Sequence, residues 1–315
     1  MEALFLRRRG LGASSIQGML SCINSCDVRS VRRNTYRGSL ASLIRNDLTS
    51  GPVGIDLVSA CQTLIRWGCT SETNVPLNQQ LNKSAAIKQV NDKLRFRELV
   101  QSQQQRPLVP YTVFSTDPDR GGTGLMPSTG EQHLVLRPRH HAQGKNLFVC
   151  NGLEEVLNVV RQRPRVFANG WYASKLIDKV AEYRVYVVRG RVATVARKTP
   201  GDPSQVAWNV AQGGRFDVVR WGDWPLEAVK VALETFNMSD LDFGGVDVMV
   251  DREGKAYLIE INSAPSLPLL SDGSVSYRQQ CMSKALMHTV RNMTETFEMP
   301  PSITSWRDVI HPSIP

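Results

Sequence analysis

Residues 243–262 constrain the fold of this 315-residue chain more strongly than any other segment. Apolar residues alternate with other residues along two short runs, which predicts two half-buried β-strands, and Glu253-Gly254 between them indicates a hairpin turn. If the turn contains an even number of residues, one face of the hairpin is continuously apolar. The opposed apolar pairs in that register are Val246 with Ile261, Val248 with Ile259, and Val250 with Tyr257. An odd-numbered turn would break this arrangement.

The other face of the predicted hairpin carries two acidic residues. Asp247 lies directly opposite Glu260 in this register, and Asn262 follows two residues further along the same strand. Like charges opposed across a strand pair are destabilising, so we expect a divalent cation to compensate for the repulsion. Two carboxylates and an amide oxygen suit Mg²⁺, with substrate phosphates and water completing the coordination. The alternative is that both acids lie on a solvated face without a metal.

The composition is that of an ordinary globular protein, with 41% hydrophobic and 21% charged residues. The chain is long enough for two or three compact lobes. It contains no run of about 18 apolar residues, so no membrane-spanning helix is predicted, and residues 1–18 lack the apolar stretch of a secretory signal. The six cysteines show neither a repeated pair spacing nor a zinc-site pattern. Reduced thiols in a cytoplasmic protein are therefore favoured, while the oligomeric state stays open.

A net charge of +9, with four arginines within residues 29–37, is compatible with a nucleic-acid partner. The sequence has no aromatic ribonucleoprotein signature, zinc finger or recognition-helix pattern. A solvated basic surface explains the charge more simply, and an enzyme that handles polyphosphate also requires cations. Nucleic acid is therefore an unlikely partner, and a nucleic-acid-associated binding protein, whose affinity would fall steeply with salt, is the alternative to an enzyme.

Helical and strand periodicities follow one another along the rest of the chain. Residues 84–102 are predicted to form one helix, capped by Ser84. The other predicted helices span residues 153–163, 225–237 and 278–297, and the predicted strands span residues 63–67, 133–137, 146–150, 166–177, 183–188 and 191–197. The last two strands are separated by Arg189-Gly190, which indicates a second hairpin.

Asp247, the triplet Glu260-Ile261-Asn262 and the following residues 263–267 resemble the metal-binding end of ATP-grasp enzymes. The resemblance is strongest to the ligases that add glutamate to a ribosomal protein, and it covers roughly residues 82–270. It implies an α+β fold in which two α/β lobes with antiparallel sheets grip ATP, together with a small N-terminal region. It also implies that Asp247, Glu260 and Asn262 bind Mg²⁺, with Mn²⁺ as a second possibility.

The same resemblance assigns the phosphates of ATP to Lys93 and to Arg137. The family usually has lysine at the second position, but arginine can also bind phosphate through its planar fork. Residues 139–145 correspond to a flexible flap over the triphosphate, in which Gln143 and Gly144 match the family pattern. Backbone amides of such a loop can cradle phosphate oxygens.

The remaining assignments by resemblance concern the adenosine and the reacting groups. The backbone of Lys175, Leu176 and Ile177 is expected to hydrogen-bond adenine, as a hinge strand does in the family. Glu182 is expected to hold the ribose hydroxyls, and Arg184 a phosphate or the substrate carboxylate. Arg184 and Arg137 are therefore the expected catalytic residues. Lys198 is the last residue along the chain that is expected to bind the nucleotide. Asn209 with Gly213-Gly214 resembles an element of the glutamate-ligase branch.

The expected domain organisation follows from these assignments. Residues 1–50 are predicted to be a basic, partly irregular arm, and residues 51–105 a small lobe that leads into a linker helix. Residues 106–298 are the expected ATP-grasp domain, and residues 299–315 a Pro-rich tail. The ATP-grasp domain is divided into a small ATP subdomain with the flap, residues 106–177, and a metal-binding subdomain, residues 178–298.

The function implied by the resemblance is ATP- and Mg²⁺-dependent ligation. The enzyme would convert a carboxylate to an acyl phosphate and join it to an amine of an amino acid, a peptide or a protein. The flap and Arg137 depart from the family pattern, which leaves a nucleotide-binding protein without ligase activity as an alternative. The resemblance does not identify the carboxylate or the acceptor.

Overall fold

Three β-sheets with helices packed against them form the described part of the chain. The computed structural model describes residues 1–46, 56, 58–103, 112–115, 133–140, 146–202, 205–208 and 213–314, with residues 112–115 described by their backbone. The strands are β1 (Ala3–Arg7), β2 (Thr35–Tyr36), β3 (Ala41–Arg45), β4 (Thr63–Trp67), β5 (Gln80–Leu81), β6 (Thr112–Ser115), β7 (His133–Pro138), β8 (Phe148–Asn151), β9 (Trp171–Lys175), β10 (Lys179–Val188), β11 (Arg191–Thr199), β12 (Arg215–Val219), β13 (Phe243–Asp251) and β14 (Ala256–Asn262). The helices are α1 (Ala13–Asn24), α2 (Ser84–Asn91), α3 (Lys93–Ser102), α4 (Leu153–Gln162), α5 (Pro164–Phe167), α6 (Leu226–Asn237) and α7 (Tyr277–Arg291). Within these residues no helix combines the length and apolarity needed to cross a membrane.

The first sheet was not predicted, because residues 1–50 were expected to form a basic, partly irregular arm and instead contain three of its strands. Its strand order is β2-β3-β1-β4-β5, and β1 is buried along its whole length between β3 and β4, to which it pairs in parallel. A strand buried on both faces reads as a short apolar run without alternation, and the arginines at residues 7–9 obscured that run. One sheet therefore spans the predicted boundary at residue 50, which itself lies outside the described residues.

The second sheet has the order β12-β11-β10-β13-β14 and is antiparallel throughout. The predicted hairpin is confirmed as β13 and β14, and so is its central register, because Asp247 lies opposite Glu260 and Val246 opposite Ile261. The apolar face of the sheet packs on α6 and forms the largest described part of the core. The acidic pair therefore lies on the opposite face of a well-supported sheet.

A β-bulge changes the register of the hairpin beyond Asp247. The pairs beyond it are Val248 with Leu258, Met249 with Tyr257, and Val250 with Ala256. The predicted pairs of Val248 with Ile259 and of Val250 with Tyr257 are therefore wrong, because Ile259 is the extra residue of the bulge. The shift places Tyr257 opposite Met249, on the face that carries Asp247, and both residues cluster there with Ile259.

The third sheet has the order β6-β9-β7-β8. The strand predicted at residues 166–177 is shorter than expected, because Pro164 begins the short helix α5 and β9 starts only at Trp171. The helix predicted at residues 84–102 is divided at Asp92 into α2 and α3. The Asp92 carboxylate accepts a hydrogen bond from the backbone N–H of Arg95 and so caps α3.

Asn82 connects the end of the first sheet to the beginning of β13. Its side chain is fully buried, and its amide oxygen accepts hydrogen bonds from the backbone N–H groups of Asp242 and Phe243, at 2.8 and 3.0 Å. Its amide nitrogen donates to the carbonyl of Phe243 at 2.9 Å. Its backbone has a φ of 61°, a left-handed conformation that asparagine tolerates better than most residues.

Asn82→Ala is therefore expected to reduce the free energy of unfolding by about 2–4 kcal/mol, because it leaves buried backbone groups without partners and strains a left-handed position. Urea denaturation followed by circular dichroism measures this loss. The matched control is Asn151→Ala, at an exposed position at the end of β8, which should leave the midpoint unchanged. Equal midpoints for Asn82→Ala and wild type would contradict the role of Asn82.

Candidate functional site

A cavity of about 870 Å³ is lined by residues of the second and third sheets and by residues that follow two strands of the first sheet. Its size is that of a small-molecule site. The predicted site residues that line it are Lys93, Arg137, Lys175, Leu176, Ile177, Glu182, Arg184, Lys198, Asp247, Glu260 and Asn262. Gln143, Gly144 and Asn209 lie outside the described residues. The structure thus brings together side chains that the sequence distributes over 170 positions.

Asp247 is the centre of a buried network of charges. The Arg184 guanidinium donates to both carboxylate oxygens, with Nε–Oδ1 at 2.6 Å and Nη2–Oδ2 at 2.7 Å, and Lys198 Nζ donates to Oδ2 at 2.8 Å. Asp247 is 2% exposed. Burial alone would raise the pKa of Asp247, but the positive charges of Arg184 and Lys198 outweigh it and hold that pKa below its usual value.

Glu182 extends the network on the neighbouring strand. It contacts Lys198 Nζ through Oε1 and Lys179 Nζ through Oε2, the latter at 2.6 Å. Burial would lower the pKa of Lys198, but the charges of Asp247 and Glu182 raise it above its usual value. The pKa of Lys179 is lowered, because burial outweighs the effect of Glu182 there. Lys198 therefore keeps its positive charge on the cavity wall, and Lys179 lines the same wall.

Lys179 was missed at the sequence level. It is three residues from Glu182, and strict alternation along a strand would place the two side chains on opposite faces. A register shift between Lys179 and Ala181 reverses that alternation. Lys179 also lies over the ring of Trp208, 4.5 Å from its centroid, and both residues line the cavity.

Glu260 is held separately from Asp247. Lys93 Nζ lies 3.0 Å from Glu260 Oε2, and Asn262 Nδ2 donates to Glu260 Oε1 at 3.2 Å. Side-chain cations therefore accompany both acids of the opposed pair. A divalent cation is therefore not required to compensate for their repulsion, and a metal site at this position depends on the donor atoms themselves.

The donor set fits Mg²⁺. Asp247 and Glu260 are opposed in register, Asn262 is next on the same face, and all three line the cavity. Within the described residues there is no group of three or more His, Cys, Asp or Glu side chains that could hold a metal. Mg²⁺ usually takes one or two protein carboxylates and completes its octahedron with phosphates and water, so this small oxygen set is of the right kind.

The apolar end of the cavity lies next to the strand predicted to be the hinge. Met249 and Tyr257 form a small buried cluster against which Ile177 and Ile259 pack. The backbone N–H of Leu176 already donates to the carbonyl of His133, at 2.9 Å. The expectation that this strand hydrogen-bonds adenine must therefore exclude the Leu176 N–H group.

The segments that follow β1 and β4 of the first sheet line the other end of the cavity through Arg8, Leu11 and Gly68. Gly68 has a φ of 63°, and a Cβ atom there would lie 2.8 Å from the Cβ of Ala264. This close approach brings the first sheet against the segment that follows β14. Arg8 and Leu11, predicted to lie in a partly irregular arm, thus line the cavity.

Comparison with known proteins agrees with this geometry. The family described as the RimK-like ATP-grasp domain matches residues 91–276. A search of curated proteins by sequence finds no match. Among solved structures, the D-alanine–D-alanine ligase of Bacillus anthracis complexed with ATP is 12% identical, with a TM-score of 0.58, and the alignment covers 93% of this chain and 98% of that one.

Two peptide-modifying ligases are also similar in structure. The Chryseobacterium gregarium RiPP-associated ATP-grasp ligase, solved with ADP and a leader and core peptide, is 14% identical with a TM-score of 0.59, covering 92% of this chain and 97% of that one. The macrocyclase MdnC from Microcystis aeruginosa MRC, bound with precursor peptide MdnA, is 14% identical with a TM-score of 0.57, covering 91% and 99%. These likenesses confirm the ATP-grasp fold and the α+β class expected from the sequence.

The family match covers more than half of the chain, including every predicted site residue. Ligases of this fold bind ATP together with Mg²⁺, and a related structure contains Mg and ADP. The chain therefore belongs to the RimK-like ATP-grasp family and is an ATP-dependent carboxylate–amine ligase.

Proposed function

We propose that the enzyme uses ATP to convert a substrate carboxylate to an acyl phosphate, which then reacts with the amine of an amino acid, a peptide or a protein. The observation that carries the proposal is the row of alternating cations and carboxylates along one wall of the cavity, formed by Lys179, Glu182, Lys198, Asp247 and Arg184. A substrate carboxylate and a triphosphate are both anionic, and the positive groups of such a wall would reduce their mutual repulsion.

The nucleotide would lie with its base on the apolar cluster of Met249 and Tyr257 and its phosphates toward Lys93 and Arg137. Glu182, which also contacts Lys179 and Lys198, would accept hydrogen bonds from the ribose hydroxyls. The flap residues Gln143 and Gly144 are proposed to cover the triphosphate through backbone amides. This arrangement leaves the end near Arg8 and Gly68 for the acceptor.

Asp247, Glu260 and Asn262 are proposed to hold Mg²⁺, and Mn²⁺ offers the same preference for oxygen ligands. When bound, the ion would neutralise charge on the phosphate oxygens. Arg184 and Lys198 already contact Asp247, so their positions are fixed before substrate binds. Preorganised charge of this kind contributes to catalysis because it does not reorganise during the reaction.

The proposed reaction has two steps. A carboxylate oxygen of the substrate attacks the γ-phosphorus of ATP, the bond from that phosphorus to the β,γ-bridging oxygen breaks, and ADP leaves. The amine then attacks the acyl carbon, the bond to the phosphate oxygen breaks, and the nitrogen loses a proton as inorganic phosphate leaves. Arg184 would stabilise the negative charge on the carboxylate or on the transferring phosphoryl group, and no enzyme nucleophile takes part.

A screen for ADP release tests the proposed function. Purified protein with Mg²⁺ and ATP is incubated with amino acids, short peptides and peptidoglycan precursors, and the products are analysed by mass spectrometry. We expect ADP and an amide product to appear in equal amounts for at least one pair of substrates. ADP release without any mass-shifted amide across the panel would reject amine ligation as the outcome.

A further inference from the structure

Arg97 is a buried cation on the cavity wall to which the sequence assigns no role. It lies one turn after Lys93 on α3, is 3% exposed, and lines the cavity together with Lys93. Its Nη2 donates to the carbonyl oxygen of Ile259 at 2.7 Å, and its guanidinium carbon lies 5.1 Å from the ring centroid of Tyr172. Within the described residues, Nη1 has no hydrogen-bond partner.

A second arginine with the same property faces the same cavity. Arg137 on β7 also lines it, and its buried Nε has no hydrogen-bond partner in the described part of the chain. Burial and the positive charge of Arg137 lower the pKa of Arg97, and together they outweigh Tyr172 and Glu260, which act in the opposite direction. A guanidinium that is desolvated beside a like charge costs free energy, and an anionic ligand between the two would offset that cost.

We infer that Arg97 is an anion-binding residue of the nucleotide site and that, with Arg137, it receives phosphate oxygens of ATP. The inference rests on the proposed placement of ATP in this cavity. The planar fork of an arginine matches phosphate oxygens well, and the unpartnered Nη1 and Nε groups supply the donors.

The position of Arg97 favours phosphate over the substrate carboxylate. Arg97 contacts Ile259, which packs beside the apolar cluster of Met249 and Tyr257, and follows Lys93 by one helical turn. The end of the cavity available to the second substrate is formed instead by Arg8, Leu11 and Gly68, which follow strands β1 and β4. Arg97 therefore belongs to the half of the cavity that is proposed to hold the nucleotide.

The bond from Arg97 to Ile259 gives this residue a second effect. Ile259 is the extra residue of the bulge, and Glu260 follows it directly. A bulge next to a site re-aims the neighbouring side chain. Arg97 therefore contacts both the proposed phosphate position and the backbone that orients Glu260, so nucleotide binding and the placement of Glu260 depend on one side chain.

The binding of nucleotides in the absence of magnesium tests the inference, because the protein's own cations then account for any effect of the phosphates on affinity. Isothermal titration in EDTA, with neither substrate present, compares ATP, ADP and adenosine as probes. Arg97→Met is expected to weaken ATP and ADP binding by about 10- to 100-fold, as expected for the loss of a hydrogen bond to a charged group, and to leave adenosine binding unchanged. Arg97→Lys, which keeps the charge but not the fork, should show a smaller loss of the same kind.

The matched control is Arg95→Met, which removes an arginine from the exposed side of the same helix and should bind all three probes like wild type. Wild-type ATP binding by folded Arg97→Met would overturn the inference, as would an equal loss for adenosine, which indicates a structural role. If Arg97→Met does not fold, Arg97→Lys is used instead. A ratio of ATP affinity to adenosine affinity below that of wild type supports the inference, and an unchanged ratio overturns it.

This test is separate from the test of ligation. A phosphate-dependent loss in Arg97→Met supports the role of Arg97 even if no substrate pair yields an amide. Conversely, amide formation together with unaltered nucleotide binding in Arg97→Met would reject the role of Arg97 and leave the proposed function standing.

Discussion

Glu260→Gln is expected to reduce ATP turnover by at least about 100-fold, the order of loss seen when one group that stabilises transition-state charge or supports a metal is removed. The substitution removes the negative charge proposed to hold Mg²⁺. It keeps an oxygen that can accept from Lys93, which contacts Oε2 of Glu260, and the new amide nitrogen can donate to Asn262 once the Asn262 amide, which now donates to Oε1, turns its oxygen toward it. The fold should therefore stay intact, with a change in unfolding free energy of about 1 kcal/mol or less. Coupled ADP release and urea denaturation measure the two effects.

The control for this substitution lies in the same hairpin. Glu253 is exposed in the turn between β13 and β14, and Glu253→Gln should change neither turnover nor stability. The Mg²⁺ concentration needed for half-maximal rate should rise in Glu260→Gln alone. ADP release at the wild-type rate by folded Glu260→Gln would remove Glu260 from the proposed metal site, whatever the other residues do.

The alternation of side chains along two strands was sufficient to predict the centre of the site. The opposition of Asp247 and Glu260 follows from the period of two along β13 and β14, and the structure has that register. The same rule failed one residue further on, at Ile259, and again near Lys179, because each lies at a register irregularity. A bulge depends on contacts outside the strand pair, such as the bond from Arg97 to the Ile259 carbonyl, which periodicity does not reveal.

The first sheet could not be recognised for a different reason. Its central strand β1 pairs with β3 and β4, which lie about 40 and 60 residues further along the chain. A parallel strand buried on both faces leaves only a short apolar run in the sequence, and no turn signal marks such distant partners. Arg97, by contrast, had a usable signal, because it lies four residues after Lys93 and so shares its helix face.

Asp247→Asn is expected to reduce the free energy of unfolding by about 3–5 kcal/mol, a much larger loss than for Glu260→Gln. Asp247 is nearly inaccessible to solvent and neutralises Arg184 and Lys198 together. An asparagine carries no charge, so Glu182 is the remaining acid of this network that balances the buried cations Arg184 and Lys198. Its amide also offers the Arg184 guanidinium one acceptor oxygen instead of two. Turnover should also be lost, since Asp247 is a proposed Mg²⁺ ligand.

A double variant separates the charge effect from a packing effect. In Asp247→Asn with Lys198→Met, one buried cation is removed, and Glu182 still has Lys179 as a partner. We therefore expect the double variant to recover part of the lost stability in urea denaturation, although Lys198→Met alone is destabilising. If the losses of the two single variants simply add, the network does not act through charge compensation.

The pH dependence of the unfolding free energy tests the same network through Asp247. The pKa of Asp247 is held below its unfolded value of 3.8, because the charges of Arg184 and Lys198 outweigh burial. A carboxylate with a lowered pKa stabilises the folded state fully above its unfolded pKa, and that contribution is lost as the pH falls through the folded value. The difference in unfolding free energy between wild type and Asp247→Asn should therefore be constant from neutral pH down to about pH 5 and shrink only near and below pH 4. A difference that already disappears between pH 7 and pH 5 would place the stabilising charge on a group other than Asp247.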